Sequence, residues 1–535
     1  MDRRGFLATG ATFGALVALP GQASASAEPG QAGLGPVTIK PGDPQYEDLV
    51  LRPNNSRFAP RPDSFRIVGD TDQVVRAVND AVRAGKRVTV RSGGHCYENF
   101  VGDPQPHMII DMVEMNAVYF DDSRDAFVIE PGAHLADVYQ RLFYGWGVTI
   151  PGGVCGTVAA GGHIMGGAYG PLSRRHGSVV DYLHAVEVVV VDRSGRARAI
   201  VATREPDDPN HDLWWAHTGG GGGNFGVVTR YWLRTPGVRS DDPTKLLPKP
   251  PPSFMGGSAH WAWKDLTQES FRRLMRNHGE WHERHSAPGD RYSTLFGLLT
   301  ISNVLTPFFP GEVTLTAQVD GTLPDAAKLL RDYFEAVSAG VGGTIMPPEG
   351  PTPYLTAMGP ALQLGESGRQ KNKAAYLRKR FTDAQIDTVY ARLSKPDPSI
   401  GLMMLWLLPY GGQVNAVDPA ATALAQRDSI FKVVYISTWL NNPVVPGVDE
   451  VNIEAIRQFY KSMYAQTGGV PVPNEVNDGS YINYPDIDLA DPAWNTSGVP
   501  WHTLYYKGNY PRLQRVKAKY DPRDTFTHKL GIRPA

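Results

Sequence analysis

Cysteine is almost absent: only Cys96 and Cys155 occur in 535 residues. That is too few for a disulfide scaffold or a thiolate metal cluster, and no metal site is expected. Net charge is scarce as well. Fifty-three Lys and Arg against 54 Asp and Glu leave −1, which excludes a strongly basic nucleic-acid binder. Beyond the N-terminus no apolar run approaches the roughly 18 residues of a membrane span, so no membrane-embedded body is expected. With 41% hydrophobic and 20% charged residues, the chain is neither a disordered polymer nor a collagen-like fibre. What is plentiful is Gly (57) and Pro (44), the residues of tight turns and close backbone approaches. The length exceeds what one core organises and predicts two domains, or one domain interrupted by another.

The first residues read as an address. Arg3-Arg4-Gly5-Phe6-Leu7 precede a mild apolar stretch ending at Pro20, and small-residue cleavage patterns follow at Ala23–Ala25 and Ala25–Ala27. A charged start, short apolar middle and small-residue end predict an export signal over residues 1–27, cut after Ala25 or Ala27. The paired arginines resemble the twin-arginine type, which carries folded proteins and suits a chain loaded with a prosthetic group before export. The competing reading is a basic tail or an uncleaved anchor.

From about Val37 to Pro236 strand-like and helix-like pieces alternate. Asp72–Ala84 and His134–Tyr144 carry the helical period, whereas Arg87–Arg91, His184–Val191 and Val227–Leu233 read as strands. Leu246 to Phe254 is Pro-rich and reads as a linker. Beyond it, helical patterns at Gln268–His285, Asp325–Val337 and Val451–Tyr464 are separated by strand-like runs. Those runs, at Ser293–Ile301, Gly311–Val319, Gly401–Leu408 and Ile430–Leu440, predict an α+β domain on an antiparallel sheet. A basic helical stretch, Arg512–Tyr520, lies near the C-terminus.

Three glycine-rich clusters carry the chemistry. In the first, a strand ends at Arg91-Ser92-Gly93-Gly94 and presents His95, with bare backbone suited to an anion. The second contains Gly152, Gly153, Cys155, Gly156 and Val158, then Gly161, Gly162 and His163, then Gly166, Gly167 and Tyr169. So much glycine either disorders or wraps something, and the interleaved Val158, Ile164 and Met165 favour wrapping. A Cys96–Cys155 disulfide stays open at this point. The third cluster runs from Gly219 to Gly223 and on to Asn224-Phe225-Gly226. Its formal GxGxxG match is rejected because a β-rich run containing Val228 follows, not a helix. Such a run either delivers bare backbone to a ligand or forms a flexible hinge, and the flanking aromatics favour the first.

Together these clusters resemble the berberine-bridge-enzyme-like branch of the vanillyl-alcohol-oxidase and p-cresol-methylhydroxylase flavoprotein superfamily. The tail motifs Tyr481-Ile482-Asn483-Tyr484 and Tyr505-Tyr506-Lys507-Gly508-Asn509-Tyr510 agree. The resemblance spans nearly the whole mature chain and is to the sugar-oxidising enzymes of antibiotic pathways. It implies an α+β fold. A two-subdomain FAD-binding domain of p-cresol-methylhydroxylase type (37–240) would carry an inserted substrate domain (254–475), with an antiparallel sheet and flanking helices. A C-terminal segment (476–535) would return to the FAD domain.

It further implies FAD attached through His95 to the 8α-methyl and through Cys155 to ring position 6. Arg91 to Gly94, the glycines of the second cluster with His163, Gly226 with Val228, and Asn483 with Asn509 would line the cofactor. Tyr484 matches the catalytic tyrosine, Tyr169 and Tyr376 match assisting positions, and Arg378-Lys379-Arg380 offer positive potential to Tyr376. Val158 matches the residue that admits oxygen. The implied partners are a sugar or glycosylated natural product and O2, giving a hydroxyl oxidation that releases hydrogen peroxide. Oxidation of an alkaloid-like amine and drug sequestration by a flavin-loaded protein are the competing readings; the former needs an acid beside the flavin.

Overall fold

The computed structural model describes residues 37–305, 311–362, 368–440 and 446–535. The expected export signal, 1–27, lies outside them. No helix among the described residues is long and apolar enough to cross a membrane.

Three sheets organise the chain. The first contains β1 (Val37–Ile39), β2 (Ser64–Ile67), β3 (Val88–Arg91) and β4 (Met108–Asp111) in the order β1-β2-β4-β3. β2 and β3 each pair parallel with β4. The connection between β2 and β3 is the helix Thr71–Arg83, started by the Asp70 carboxylate, which accepts the Gln73 N–H at 2.7 Å. Its Val74, Ala77, Val78 and Ala81 face the core.

The second sheet is antiparallel, with β5 (Val118–Asp121), β6 (Ala126–Ile129), β7 (Leu183–Val191), β8 (Ala197–Thr203) and β9 (Val227–Leu233) in the order β5-β6-β9-β7-β8. The chain between β6 and β7 holds the helix Leu135–Trp146, ended by Gly147 in the left-handed region at φ 67°, and then the second glycine cluster.

The third sheet has seven strands: β10 (Ser253–Ala262), β11 (Phe296–Ser302), β12 (Glu312–Asp320), β13 (Thr344–Pro353), β14 (Arg369–Leu377), β15 (Leu402–Pro409) and β16 (Phe431–Trp439). All neighbours are antiparallel, in the order β13-β10-β12-β11-β15-β16-β14. Period-two alternation separates its faces. Along β15, Met403, Leu405 and Leu407 are buried, whereas Leu402, Met404, Trp406 and Leu408 are half-buried on the other side. The helices Ala326–Ser338 and Val448–Met463 pack on this sheet, and Gln268–Arg284 and Asp383–Leu393 pack against them.

The Pro-rich passage from Leu246 is not a free spacer. Leu246 and Leu247 are buried, the Thr235 N–H donates to Leu246 O at 2.7 Å, and the Thr149 N–H donates to Pro248 O at 2.8 Å. Its leucines are apolar anchors that hold the crossing strand down, an effect that proline content alone hides. One apolar core accordingly runs from Val118 on β5, through the inner face of the seven-stranded sheet, to Ile532.

Candidate active site

The strand β3 ends at Arg91, whose guanidinium turns inward. Its Nε donates to Asp111 Oδ2 at 2.8 Å, its Nη1 donates to Leu49 O at 2.7 Å, and the group lies over the Phe65 ring. The buried Arg91 guanidinium compensates Asp111 and fixes the strand end. Ser92 is held through its carbonyl by Arg52. Gly93 lets this loop press on the second cluster, because a Cβ there would sit 2.7 Å from Ala159 N. Gly94 takes φ +79°.

The loop delivers His95 to Thr157. Its Nε2 lies 3.0 Å from Thr157 Oγ1, and Cys155 Sγ lies 3.7 Å from the same oxygen. Burial, then His134, lowers the His95 pKa to about 4, so the imidazole is neutral at neutral pH. No disulfide joins Cys96 to Cys155, and burial pushes the Cys96 thiol up to about 11.

The glycines of the second cluster are demanded mostly by protein. Gly170 would collide with Gly152 O if it carried a Cβ, Gly166 would collide with the Asn483 amide, and Gly161 with Ser92 Oγ. Gly156 O accepts from the Ala136 N–H at 3.1 Å, and Gly167 faces Leu424. Gly162 faces open space. The Gly153 N–H donates to His163 Nε2 at 3.0 Å, and Asn483 Nδ2 donates to His163 O at 2.9 Å. Burial, then Lys432, lowers the His163 pKa to about 3.

The third cluster is held by protein in the same way. Asn224 Nδ2 donates to the carbonyls of Gly220, Gly221 and Gly222, Gly226 abuts Val189 O, and Val228 is buried in β9. Asn509 Nδ2 donates to Pro419 O and Thr422 O. These residues shape backbone; their side chains are engaged with protein.

The tyrosines converge. Tyr169, Tyr376, Tyr410 and Tyr481 form one buried cluster with Tyr484 against it. Tyr169 follows Ala168, a non-glycine residue at φ +50°, a strained conformation of the sort held at functional sites. Tyr169 Oη is buried without a hydrogen-bond partner among the described residues, and the Tyr376 hydroxyl lies against that of Tyr410. Tyr484 stacks on Tyr97 at 5.2 Å between centroids and meets Tyr481 edge-on at 5.1 Å. Burial, then the nearby Cys155, raises the Tyr484 pKa to about 12; burial raises Tyr169 and Tyr376 well above the ordinary value.

At the centre stands Lys432, 1% exposed. Its Nζ is 3.7 Å from the Tyr481 ring centroid, 4.1 Å from Tyr169, 5.5 Å from Tyr484 and 5.7 Å from Tyr376. None of the ion pairs among the described residues includes it, and burial takes its pKa well below the ordinary lysine value. The antiparallel register pairs Lys432 on β16 with Tyr376 on β14 and Leu408 on β15. Arg378 to Arg380 do not supply the positive potential at Tyr376. Arg378 pairs with Asp428, Lys379 with Glu475, and the Arg380 N–H donates to Glu283. The strand ends at Leu377, so these residues leave its site-facing row.

Sequence reading missed Thr157, Tyr97, Tyr481 and Lys432 as site residues. Three stand within two positions of a motif residue. Lys432 had its own signal, a charge inside the apolar run of Ile430–Leu440.

The sequence pattern of the FAD binding domain matches residues 62–198, and that described as berberine and berberine like matches 480–533. This is a FAD-dependent oxidoreductase. The aclacinomycin-N/aclacinomycin-A oxidase of Streptomyces galilaeus is 49% identical, over 99% of this chain and 98% of its own. Hexose oxidase of Chondrus crispus is 31% identical over 92% and 93%. The crystal structure of a glycopeptide hexose oxidase complexed with teicoplanin is 54% identical and superposes with a TM-score of 0.90, over 94% of this chain and 99% of that one. The chain belongs to the berberine-bridge-enzyme-like family of FAD-linked oxidases.

Proposed function

We propose that this enzyme oxidises a hydroxyl of a sugar, free or on a glycosylated natural product, passes the electrons to O2 to release hydrogen peroxide, and is exported. His95 and Cys155 would hold the FAD. Sixty positions apart, they meet at one threonine hydroxyl, and two bonds to a single ring system require that convergence. When bound, the flavin supplies the hydride acceptor.

The observation that carries the reading is the ring of tyrosines around Lys432. An alcohol yields hydride readily only as its proton leaves, so a proton acceptor must stand beside it. Tyr484 with a pKa of about 12 is a poor base alone. Burial, with no carboxylate partner among the described residues, takes the Lys432 pKa well below the ordinary lysine value. In the proposed chemistry the tyrosine–lysine set acts as one unit and accepts the substrate proton through Tyr484. A positive charge on Lys432, whose Nζ lies 5.5 Å from the Tyr484 ring centroid, would favour the phenolate. Tyr169 brings a hydroxyl without a partner among the described residues, and Tyr376 one that lies against Tyr410, both suited to sugar oxygens. The half-buried row Leu402, Met404, Trp406 and Leu408 continues this site along β15 and suits an apolar aglycone.

The amine reading needs an acid at the flavin. Glu98 and Asp486, the acids nearest these loops in sequence, are both engaged by Lys371.

The test is peroxide release against oligosaccharides, glycosylated antibiotics and amines, with Y484F alongside. Turnover on sugars is expected, with flavin reduction in Y484F slowed about a hundredfold or more, the usual scale for a lost general base. Silence toward every sugar by flavin-loaded enzyme, or unimpaired reduction in Y484F, overturns the reading.

A further inference from the structure

Behind the tyrosines lies a buried ionic network that the chemistry above does not use. Lys371 and Lys373 of β14 face Asp486 and Asp488 of the C-terminal segment: Lys371 Nζ lies 2.9 Å from Asp486 Oδ1, and Lys373 Nζ lies 2.8 Å from Asp488 Oδ2. Arg457 pairs with Asp488 at 2.7 Å. Each cation therefore has a carboxylate from the tail, yet three positive charges face only two negative ones. Glu98, from the loop that carries His95, supplies the third. It and its partner Lys371 are both buried, where an unmatched charge is costly.

The Glu98 carboxylate does more than balance charge. Its Oε1 takes the Lys371 ammonium and also accepts the Ile487 N–H at 3.3 Å. Glu98 stands three residues after His95, and Ile487 three residues after Tyr484. One oxygen atom thus joins the two stretches at equal chain distance from their functional side chains. The same stretches touch again closer in: the Tyr97 ring lies on the Tyr484 ring, with 5.2 Å between centroids and 21° between planes. Strand β14 backs both contacts. Asn55 Nδ2 donates to Tyr97 O at 3.3 Å and to Gln370 O at 2.9 Å, and Lys371 is the next residue along. A glutamate needed only to neutralise Lys371 would have no cause to hold the backbone behind Tyr484.

We propose that Glu98 is a positioning residue for Tyr484: its carboxylate fastens the segment that follows the proton acceptor to the loop that carries His95, so that the phenol keeps a fixed place relative to the attachment residue. The inference rests on the reading that His95 holds the FAD and Tyr484 accepts the substrate proton. Such placement matters because a displacement of about 1 Å costs on the order of a hundredfold in rate. E98D keeps the charge and withdraws the carboxylate by one methylene, about 1.5 Å. E98Q keeps the reach and offers a weaker, neutral acceptor.

The experiment takes wild type, E98D and E98Q as flavin-loaded enzyme, each also in the Y484F background. One readout is hydrogen exchange of the backbone over 481–490. The other is stopped-flow flavin reduction by lactose, cellobiose or a glycosylated antibiotic, whichever wild type oxidises fastest. In both Glu98 variants exchange over 481–490 is expected to rise at least fivefold. Flavin reduction should slow at least tenfold, with reoxidation by O2 changed less than twofold. The cycle with Y484F decides between positioning and bulk structure. Once the phenolic hydroxyl is gone there is no base to misplace, so replacing Glu98 should slow reduction by less than a further twofold. A merely structural glutamate would impose its full factor in both backgrounds. If E98Q does not fold, E98D carries the same comparisons. Unchanged exchange over 481–490, unimpaired reduction in E98D, or equal slowing with and without the Tyr484 hydroxyl overturns the inference. Y484F as fast as wild type, or wild type inert toward every sugar, would instead remove the reading of Tyr484, and the exchange readout still decides whether Glu98 holds the segment.

Discussion

Lys432 shows how one side chain trades stability for function. Buried, ringed by tyrosines and paired with no carboxylate among the described residues, it has a folded pKa below its unfolded one. Between those two values the unfolded chain binds the extra proton, so stability is lost as pH falls through that window and regained as pH rises. K432M is therefore expected to raise stability near neutral pH by about 1–3 kcal/mol, measured by denaturant unfolding, since a buried amine gives way to an apolar chain of similar length. The same variant leaves Tyr484, at about 12, without its lysine partner. Substrate reduction of the flavin should fall at least tenfold, and its acid limb should move toward the phenol's own pKa. An unmoved limb in stopped-flow pH profiles would remove Lys432 from the chemistry. C155A is expected to retain flavin through His95 with a lower potential. A fall of about 30 mV corresponds to roughly 1.4 kcal/mol of driving force, and spectroelectrochemical titration checks it.

Strand β14 carries different chemistry on its two faces. Tyr376 looks toward Lys432, whereas Lys371 and Lys373 on the opposite side bind Glu98, Asp486 and Asp488, with Arg457 completing the set. Glu98 lies three residues beyond His95, and Asp486 and Asp488 follow Tyr484, so this buried network locks both motifs to the seven-stranded sheet. Burial alone would raise the Asp488 carboxyl, but Lys373, Lys371 and Arg457 hold it well below the ordinary range. Its contribution is present above the unfolded carboxylate pKa and is lost as pH falls through the folded one. D488N, which leaves Lys371, Lys373 and Arg457 facing only Glu98 and Asp486, should cost about 3–5 kcal/mol near neutral pH. The gap to wild type should narrow below about pH 4; a gap constant with pH would contradict the ionic account.

Over the whole chain, the C-terminus closes the FAD-binding side. The Ile532 N–H donates to Asn224 Oδ1 at 2.9 Å, Lys517 Nζ donates to Asn224 O at 2.7 Å, and Leu530 and Ile532 are fully buried. Deleting 527–535 should cost about 3–6 kcal/mol from those two side chains and free the Gly219–Gly226 loop to proteases. Equal proteolytic lifetimes would show that the tail only rests there. Much of this architecture was legible beforehand, because it is written in local signals. Helical period marked Gln268–Arg284 and Val448–Met463, and alternation marked β11, β12, β15 and β16, each within a few residues. His95, Cys155 and Tyr484 stood out because each sits in a short stretch of unusual residues. Contacts between stretches had no such mark. Arg91, Asn509 and most of the glycines turned out to face protein, since who occupies the space beside a bare backbone is decided by segments hundreds of residues away. Sequence alone determined which motifs carry the flavin chemistry, because motif identity is local. Only the tertiary structure decided that Lys432 stands among the tyrosines and Thr157 between the two attachment residues, because strand register and loop packing set those distances.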